Sequence, residues 1–185
     1  MSLVYNTLVN CKQKNPADNI EIEEAIKFLV FSVEKSGNNP KPVITHSLRM
    51  AFYLDRLCFP KNLVIAAILH DLLEDTEIKI AEIESKFGKE TGKLVTTCTF
   101  DKSIKDKTLR YQTNYGLALK SGKNALFLRA ADLLDNSNYY HMVNDKTVYK
   151  GLLKKFDHFL KVSKKIIGKN KVYKDLIARN KILHA

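Results

Sequence analysis

The sequence predicts an all-α fold, and two features carry that expectation. Apolar residues recur at three-to-four spacing through most of the chain, which is the period of one helix face and not the strict alternation of a strand. Helix breakers are scarce, with seven glycines and only four prolines, Pro16, Pro40, Pro42 and Pro60. At 185 residues and 45% hydrophobic content, one domain with a proper core is expected over 1–185. Its motif-bearing part runs from about 20 to 145, followed by amphipathic helices from about 146 to 185.

The elements follow in order. IEEAIKFLVFSVEKSG reads as a first helix, with Asp18 or Asn19 as N-cap and Gly37 as its stop, and a polar NNPKP connection comes after it. ITHSLRMAFYLDRL forms a second helix that ends before Pro60. The apolar run from Asn62 to about Leu73 forms a third, so apolar throughout that neighbours must cover it on most sides. Thr76 can cap a short helix, IKIAEIESKFG, ending at Gly88, and KETGKLVTTCT carries another. After the polar FDKSIKDKT, helices cover roughly Leu109 to Lys120 and Lys123 to His141. The last third places Leu, Phe, Val and Ile at helical spacing with Lys between them, giving two amphipathic helices broken near Gly168.

Charge narrows the partners. Lys and Arg number 31 against 20 Asp and Glu, a formal net charge of +11 that favours anions such as phosphorylated metabolites or nucleic acid. A solvated Lys-rich surface accounts for the same number, and no nucleic-acid motif accompanies it, so nucleic acid is not the expected partner. Cys11, Cys58 and Cys98 are widely spaced with no CxxC pair, which argues against a disulfide framework or a zinc knuckle. The N-terminus lacks the basic and apolar regions of a leader, and no apolar run approaches the roughly 18 residues that span a bilayer. A cytoplasmic protein with no membrane partner is expected; a homo-oligomer is left open.

The chemistry concentrates in LHDLLEDT, where His70, Asp71, Glu74 and Asp75 interrupt an otherwise apolar helix. Ionised carboxylates are rarely buried without a partner, and a metal ion is the first candidate. Glu74 lies four residues beyond His70 and Asp75 four beyond Asp71, so the third helix presents two facing rows of donors. A second carboxylate pair one turn beyond a metal can orient water. Two further donors sit in similar apolar surroundings: His46 in PVITHSLRMA and Asp132 in LFLRAADLLDN. Imidazole with carboxylate suits Mn, Fe, Zn or Co. A lone histidine on an apolar helix is usually a core residue; it is the combination of positions that argues for a site.

The order H, HD, D in the forms PVITHS, LHDLLEDT and AADLLDN resembles the HD-domain metal-dependent phosphohydrolases. HDxxEDT, the following KFGKETGKLV and the spacing to the last Asp are similar to the branch holding the RelA/SpoT hydrolase domain and its small stand-alone relatives. That branch removes the 3′-pyrophosphate from (p)ppGpp. The resemblance implies that His46, His70, Asp71 and Asp132 hold a divalent metal, typically manganese, and that Glu74 and Asp75 position and activate the attacking water. It implies substrate contact by Asn136, one turn after Asp132, and a positive charge from Arg129 where the family usually has Lys.

The nucleotide-binding stretch departs from that pattern. The family's basic HxGQxR segment reads FSVEKSGNNPKPVITHS here, with no Arg, leaving Lys35 or Lys41 to substitute, and DRLHN has become DLLDN. The basic stretch with Lys102, Lys105, Lys107 and Arg110 can add phosphate-stabilising charge. The leading expectation is a manganese-dependent (p)ppGpp 3′-pyrophosphohydrolase acting on a nucleotide phosphate. The alternatives are an HD phosphohydrolase for a nucleoside monophosphate or NADPH, or a non-catalytic nucleotide- or nucleic-acid-binding module. Tyr149, Phe156, Phe159 and Tyr173 read as packing positions, and His141, His158 and His184 as structural or exposed.

Overall fold

The computed structural model describes residues 15–37 and 42–185, with Pro16 described in its backbone alone. It is helical with no strand among the described residues. Two compact units divide it, Met1–Val95 and Thr96–Ala185.

The first unit is organised around α3 (Lys61–Leu69), against which α1 (Pro16–Ser36) and α2 (Val43–Arg56) both pack. Leu63 through Leu69 are each at most 1% exposed, so the helix is covered all round, as its unbroken apolar sequence requires. Ala25, Leu29 and Val33 of α1, and Met50 and Leu54 of α2, complete this core. Each such Leu or Ile contributes about 1.5–3 kcal/mol by leaving water. The short α4 (Leu72–Asp75) packs on α1, and α5 (Ile80–Phe87) follows; α6 (Lys89–Cys98) carries the chain into the second unit.

In that second unit α8 (Lys123–Asn136) is the central element, packed against α7 (Lys107–Ser121), α9 (Lys146–Ile167) and α10 (Lys171–Leu183). Tyr115, Phe156 and Phe159 are fully buried there, and Tyr173 is buried with its hydroxyl donating to the Leu160 carbonyl at 3.1 Å. These are the packing roles their spacing predicts; Tyr149 is half-buried and donates to the Leu183 carbonyl at 2.9 Å. His158 stacks on Tyr115, while His141 and His184 are exposed.

Five local expectations are corrected. The N-cap of α1 is Asn15, whose side chain accepts from the Ala17 N–H at 3.1 Å, and not Asp18 or Asn19. Pro16 opens the helix because its fixed φ suits a first turn whose N–H groups lack helical acceptors. The third helix is not continuous to Leu73: it stops at Leu69, and a new turn starts after Asp71. Thr76 does not cap α5; its hydroxyl donates to the Leu72 carbonyl at 2.7 Å and so closes α4. Glu82 caps α5 instead, its carboxylate accepting from the Lys79 N–H at 2.8 Å. The helix from Lys123 ends at Asn136 and gives way to a tighter 3₁₀ segment, Ser137–Met142. Cys58 is disulfide-bonded, which wide sequence spacing does not predict because bridging depends on proximity in space. Cys98 is a buried free thiol.

The expected ends otherwise hold. Gly37 stops α1 in the left-handed conformation, with φ 62. Asp145 and Asn170 cap the two C-terminal helices, which part at Gly168 as expected. Among the described residues no helix is long and apolar enough to cross a membrane.

Candidate metal centre

In the first unit, α2 and the end of α3 bring together His46, His70 and Asp71, buried at 4%, 1% and 8% exposure. The two Nε2 atoms stand 3.2 Å apart, with ring centroids 5.1 Å apart at an interplanar angle of 63°. Asp71 Oδ1 lies 3.2 Å from His70 Nε2, and its Oδ2 lies 3.9 Å from His46 Nε2.

The helix break builds this triangle. His70 Nδ1 contacts the Ala67 carbonyl at 2.8 Å, so it carries the proton and leaves Nε2 as a lone pair. The ring thereby competes for the carbonyl that a continuous helix would offer to the Asp71 N–H. Asp71 adopts φ −93 and ψ −9, the sparsely populated region between helix and strand, and its carbonyl then accepts from the Glu74 and Asp75 N–H groups at 3.0 Å. The two rows expected of a continuous helix are replaced by a ligand pair at the break and an acidic pair on the following turn.

The donor set fits a divalent ion. Donors about 2.1 Å from one centre stand roughly 3.0 Å apart at right angles and about 3.4 Å apart at tetrahedral angles. Two observed separations, both 3.2 Å, fall between those values, and the third, 3.9 Å, lies about 0.5 Å above the larger. Two imidazole nitrogens and a carboxylate thus converge in a buried space, an arrangement a cation stabilises.

Glu74 and Asp75 are half-buried on α4. The Asp75 carbonyl accepts from Ser36 Oγ at 3.2 Å, tying the acidic turn to the end of α1. Lys35, exposed on that last turn, lines a cavity of about 380 Å³ together with Phe28, Phe31, Ser36, Thr76 and Ile78. Lys41 lies outside the described residues.

In the second unit, Asp132 is 6% exposed on α8. Its Oδ2 accepts from Arg129 Nη1 at 2.7 Å and its Oδ1 from Asn136 Nδ2 at 2.6 Å. Arg129, placed by the sequence among the substrate contacts, is itself only 2% exposed and also donates through Nη2 to the Cys98 carbonyl. Its guanidinium carbon stands 4.6 Å from the centroid of the Phe100 ring. Burial opposes its charge, but Cys98, Asp132 and Tyr115 outweigh that and hold it protonated above the ordinary arginine range. Tyr140 is pushed upward by burial and then by the Asp132 charge. Lys102, Lys105 and Lys107 are exposed, and Arg110 donates to the Ile104 carbonyl at 2.7 Å, so that stretch is largely a solvated face.

Sequence reasoning missed two parts: the Ala67 carbonyl, a main-chain group with no residue signature, and Ser36. The Arg129 to Asp132 pair was detectable from its i, i+3 spacing on one helix face.

Comparison with known proteins follows the same residues. The HD domain family matches residues 25–118, half of the chain, which includes His46, His70 and Asp71 but ends before Asp132. A guanosine-3′,5′-bis(diphosphate) 3′-pyrophosphohydrolase of Aquifex aeolicus is 34% identical over 120 residues, 62% of this chain and 17% of that protein. The enzyme of the same name called MESH1 in Drosophila melanogaster is 33% identical over 97 residues, 51% of this chain and 54% of its own length. The chain therefore spans from under a fifth to about half of the length of these relatives. Among solved structures, a metazoan ortholog of SpoT, described as hydrolysing ppGpp and acting in starvation responses, superposes with a TM-score of 0.72. It covers 93% of this chain and 96% of its own at 20% identity, a likeness of fold. A protein of Listeria monocytogenes EGD-e gives a TM-score of 0.64 at 25% identity, over 75% of this chain and 97% of that one.

Proposed function

This chain belongs to the HD-domain family, and we propose from that premise that it is a divalent-metal-dependent nucleotide phosphohydrolase, specifically a guanosine-3′,5′-bis(diphosphate) 3′-pyrophosphohydrolase. The observation that carries the reading is the buried triangle of His46, His70 and Asp71, whose donor atoms are 3.2–3.9 Å apart. Relatives bearing that activity in their names, at 33–34% identity, support the substrate.

Asp132 is the fourth ligand in this proposal, and the two compact units act together as one domain. Its support is a buried carboxylate that Arg129 and Asn136 hold from both sides. A divalent ion, manganese in the first instance, supplies a Lewis acid for a phosphate oxygen and lowers the pKa of water. Glu74 and Asp75, half-buried one turn past Asp71, orient the attacking water and take its proton. Attack at the phosphorus bonded to O3′ then breaks the P–O3′ bond, releasing pyrophosphate and leaving GDP, whose 3′ oxygen takes up a proton. Asn136 acts first on Asp132, with substrate contact a second role drawn from the resemblance. Lys35 and the aromatic cavity beside Thr76 are candidates for the nucleotide, and Lys41 keeps the same expectation.

The test is to incubate the Mn²⁺-loaded chain with ppGpp, a nucleoside monophosphate and NADPH, and to identify the products. Pyrophosphate and GDP from ppGpp are expected. Orthophosphate from the monophosphate or NADPH with ppGpp left intact would reassign the substrate, and binding without turnover of any would make the chain a nucleotide-binding module.

A further inference from the structure

Resting on the reading that one ion is held by His46, His70, Asp71 and Asp132, we propose that Arg129 is the resident counter-cation of Asp132. It neutralises that carboxylate while the site is empty and weakens ion binding once the ion arrives.

The guanidinium is buried and held on three sides: by Asp132 Oδ2 at 2.7 Å, by the Cys98 carbonyl and by the Phe100 ring. A side chain so fixed cannot swing to solvent when an ion binds. Nor can it discard its charge, because arginine stays protonated in proteins. Asp132, 6% exposed, needs a neutralising partner in the metal-free protein, and Arg129 supplies one. Asn136 bonds the other oxygen but carries no charge. With an ion present, two positive centres share one carboxylate in a poorly screened environment, and their repulsion opposes the ion. The same contacts thus stabilise the empty site and limit the affinity of the filled one.

A simple prop for the Asp132 rotamer predicts the reverse. Removing a prop loosens the ligand and weakens ion binding, as the loss of outer-sphere partners usually does, by about 10–100-fold. Removing a competing cation tightens it. Arg129 is a positioning residue in either case, acting through Asp132, and ion affinity separates the two roles.

The experiment compares the full chain with Arg129→Met and Arg129→Lys. Calorimetric titration with Mn²⁺ gives the Kd, and thermal unfolding is recorded in chelator and in saturating Mn²⁺. Arg129→Met is expected to lower the midpoint in chelator, to regain most of that loss with Mn²⁺, and to bind Mn²⁺ about tenfold more tightly. A variant that folds only with Mn²⁺ supports the proposal equally. An unchanged or weaker Kd, or a midpoint loss equal in both conditions, overturns it. Should Arg129→Met fold in neither, Arg129→Lys decides: retained charge predicts a Kd within about threefold of wild type, whereas weakening by tenfold or more shows that the fork was a prop. A wild-type chain that takes up no Mn²⁺ overturns the metal reading itself and this inference with it, while normal uptake with prop-like variants overturns this inference alone.

Discussion

At the scale of single residues, His70 joins two functions: its Nε2 faces His46 and Asp71, and its Nδ1 contacts the Ala67 carbonyl. His70→Ala is expected to abolish turnover and to weaken Mn²⁺ binding, read by product release and by titration. Glu74→Ala should lower turnover by about 10²–10⁴-fold with the Mn²⁺ affinity kept near wild type, since its assigned role is proton transfer and not ligation. Equal loss of ion binding in both variants would make Glu74 a ligand and remove it from that role. Asn136→Ala removes one hydrogen bond to Asp132 without altering charge, and a Kd for Mn²⁺ weakened by about 10–100-fold is expected. The proposed donors His46, His70, Asp71 and Asp132 stood out in the sequence as ionisable residue types among apolar neighbours. The Arg129 to Asp132 spacing was legible too, but not the choice between that carboxylate and substrate, because a positive side chain reads alike in either setting.

At the scale of elements, apolar periodicity located the helices well and their junctions less well. The break at His70 and Asp71 was hidden because the apolar pattern runs through it, and the ring-to-carbonyl contact beside it leaves no mark in the sequence. The 3₁₀ segment after Asn136 was equally hidden, since SNYYHM contains no proline or glycine. Glycine positions now separate by backbone. Gly122, between α7 and α8, has φ 99 and ψ −170, with nothing within 4 Å of an added Cβ. Gly122→Ala should therefore cost about 1–3 kcal/mol from backbone strain alone. Gly116, inside α7 and equally open, should do the opposite: Gly116→Ala is expected to stabilise by about 0.4–1 kcal/mol. Urea unfolding of the pair checks both signs. Leu69→Ala, at the fully covered end of α3, should cost about 2–5 kcal/mol by the same measurement.

At the scale of the whole molecule, the all-helical class and the buried character of α3 were readable from composition and period alone. The division into two compact units was not, because the boundary falls inside the helix Lys89–Cys98 with no linker to mark it. The Cys58 disulfide was unreadable for a related reason, being a property of tertiary approach. Ion binding should register globally: Mn²⁺ at about 100 times its Kd adds roughly 2.7 kcal/mol to stability. At about 2–4 °C per kcal/mol for a chain of this size, chelator should lower the unfolding midpoint by about 5–11 °C. A midpoint indifferent to chelator would mean that no ion is held by the folded chain. The Ala67 contact also bears on how such a chain can diverge. The acceptor that sets the His70 tautomer is main-chain oxygen, so no replacement of the side chain at 67 deletes it, and drift there alters only volume. The tautomer is inherited through the course of the backbone, whereas Asp132 depends on the side chains of Arg129 and Asn136 and is open to retuning one substitution at a time.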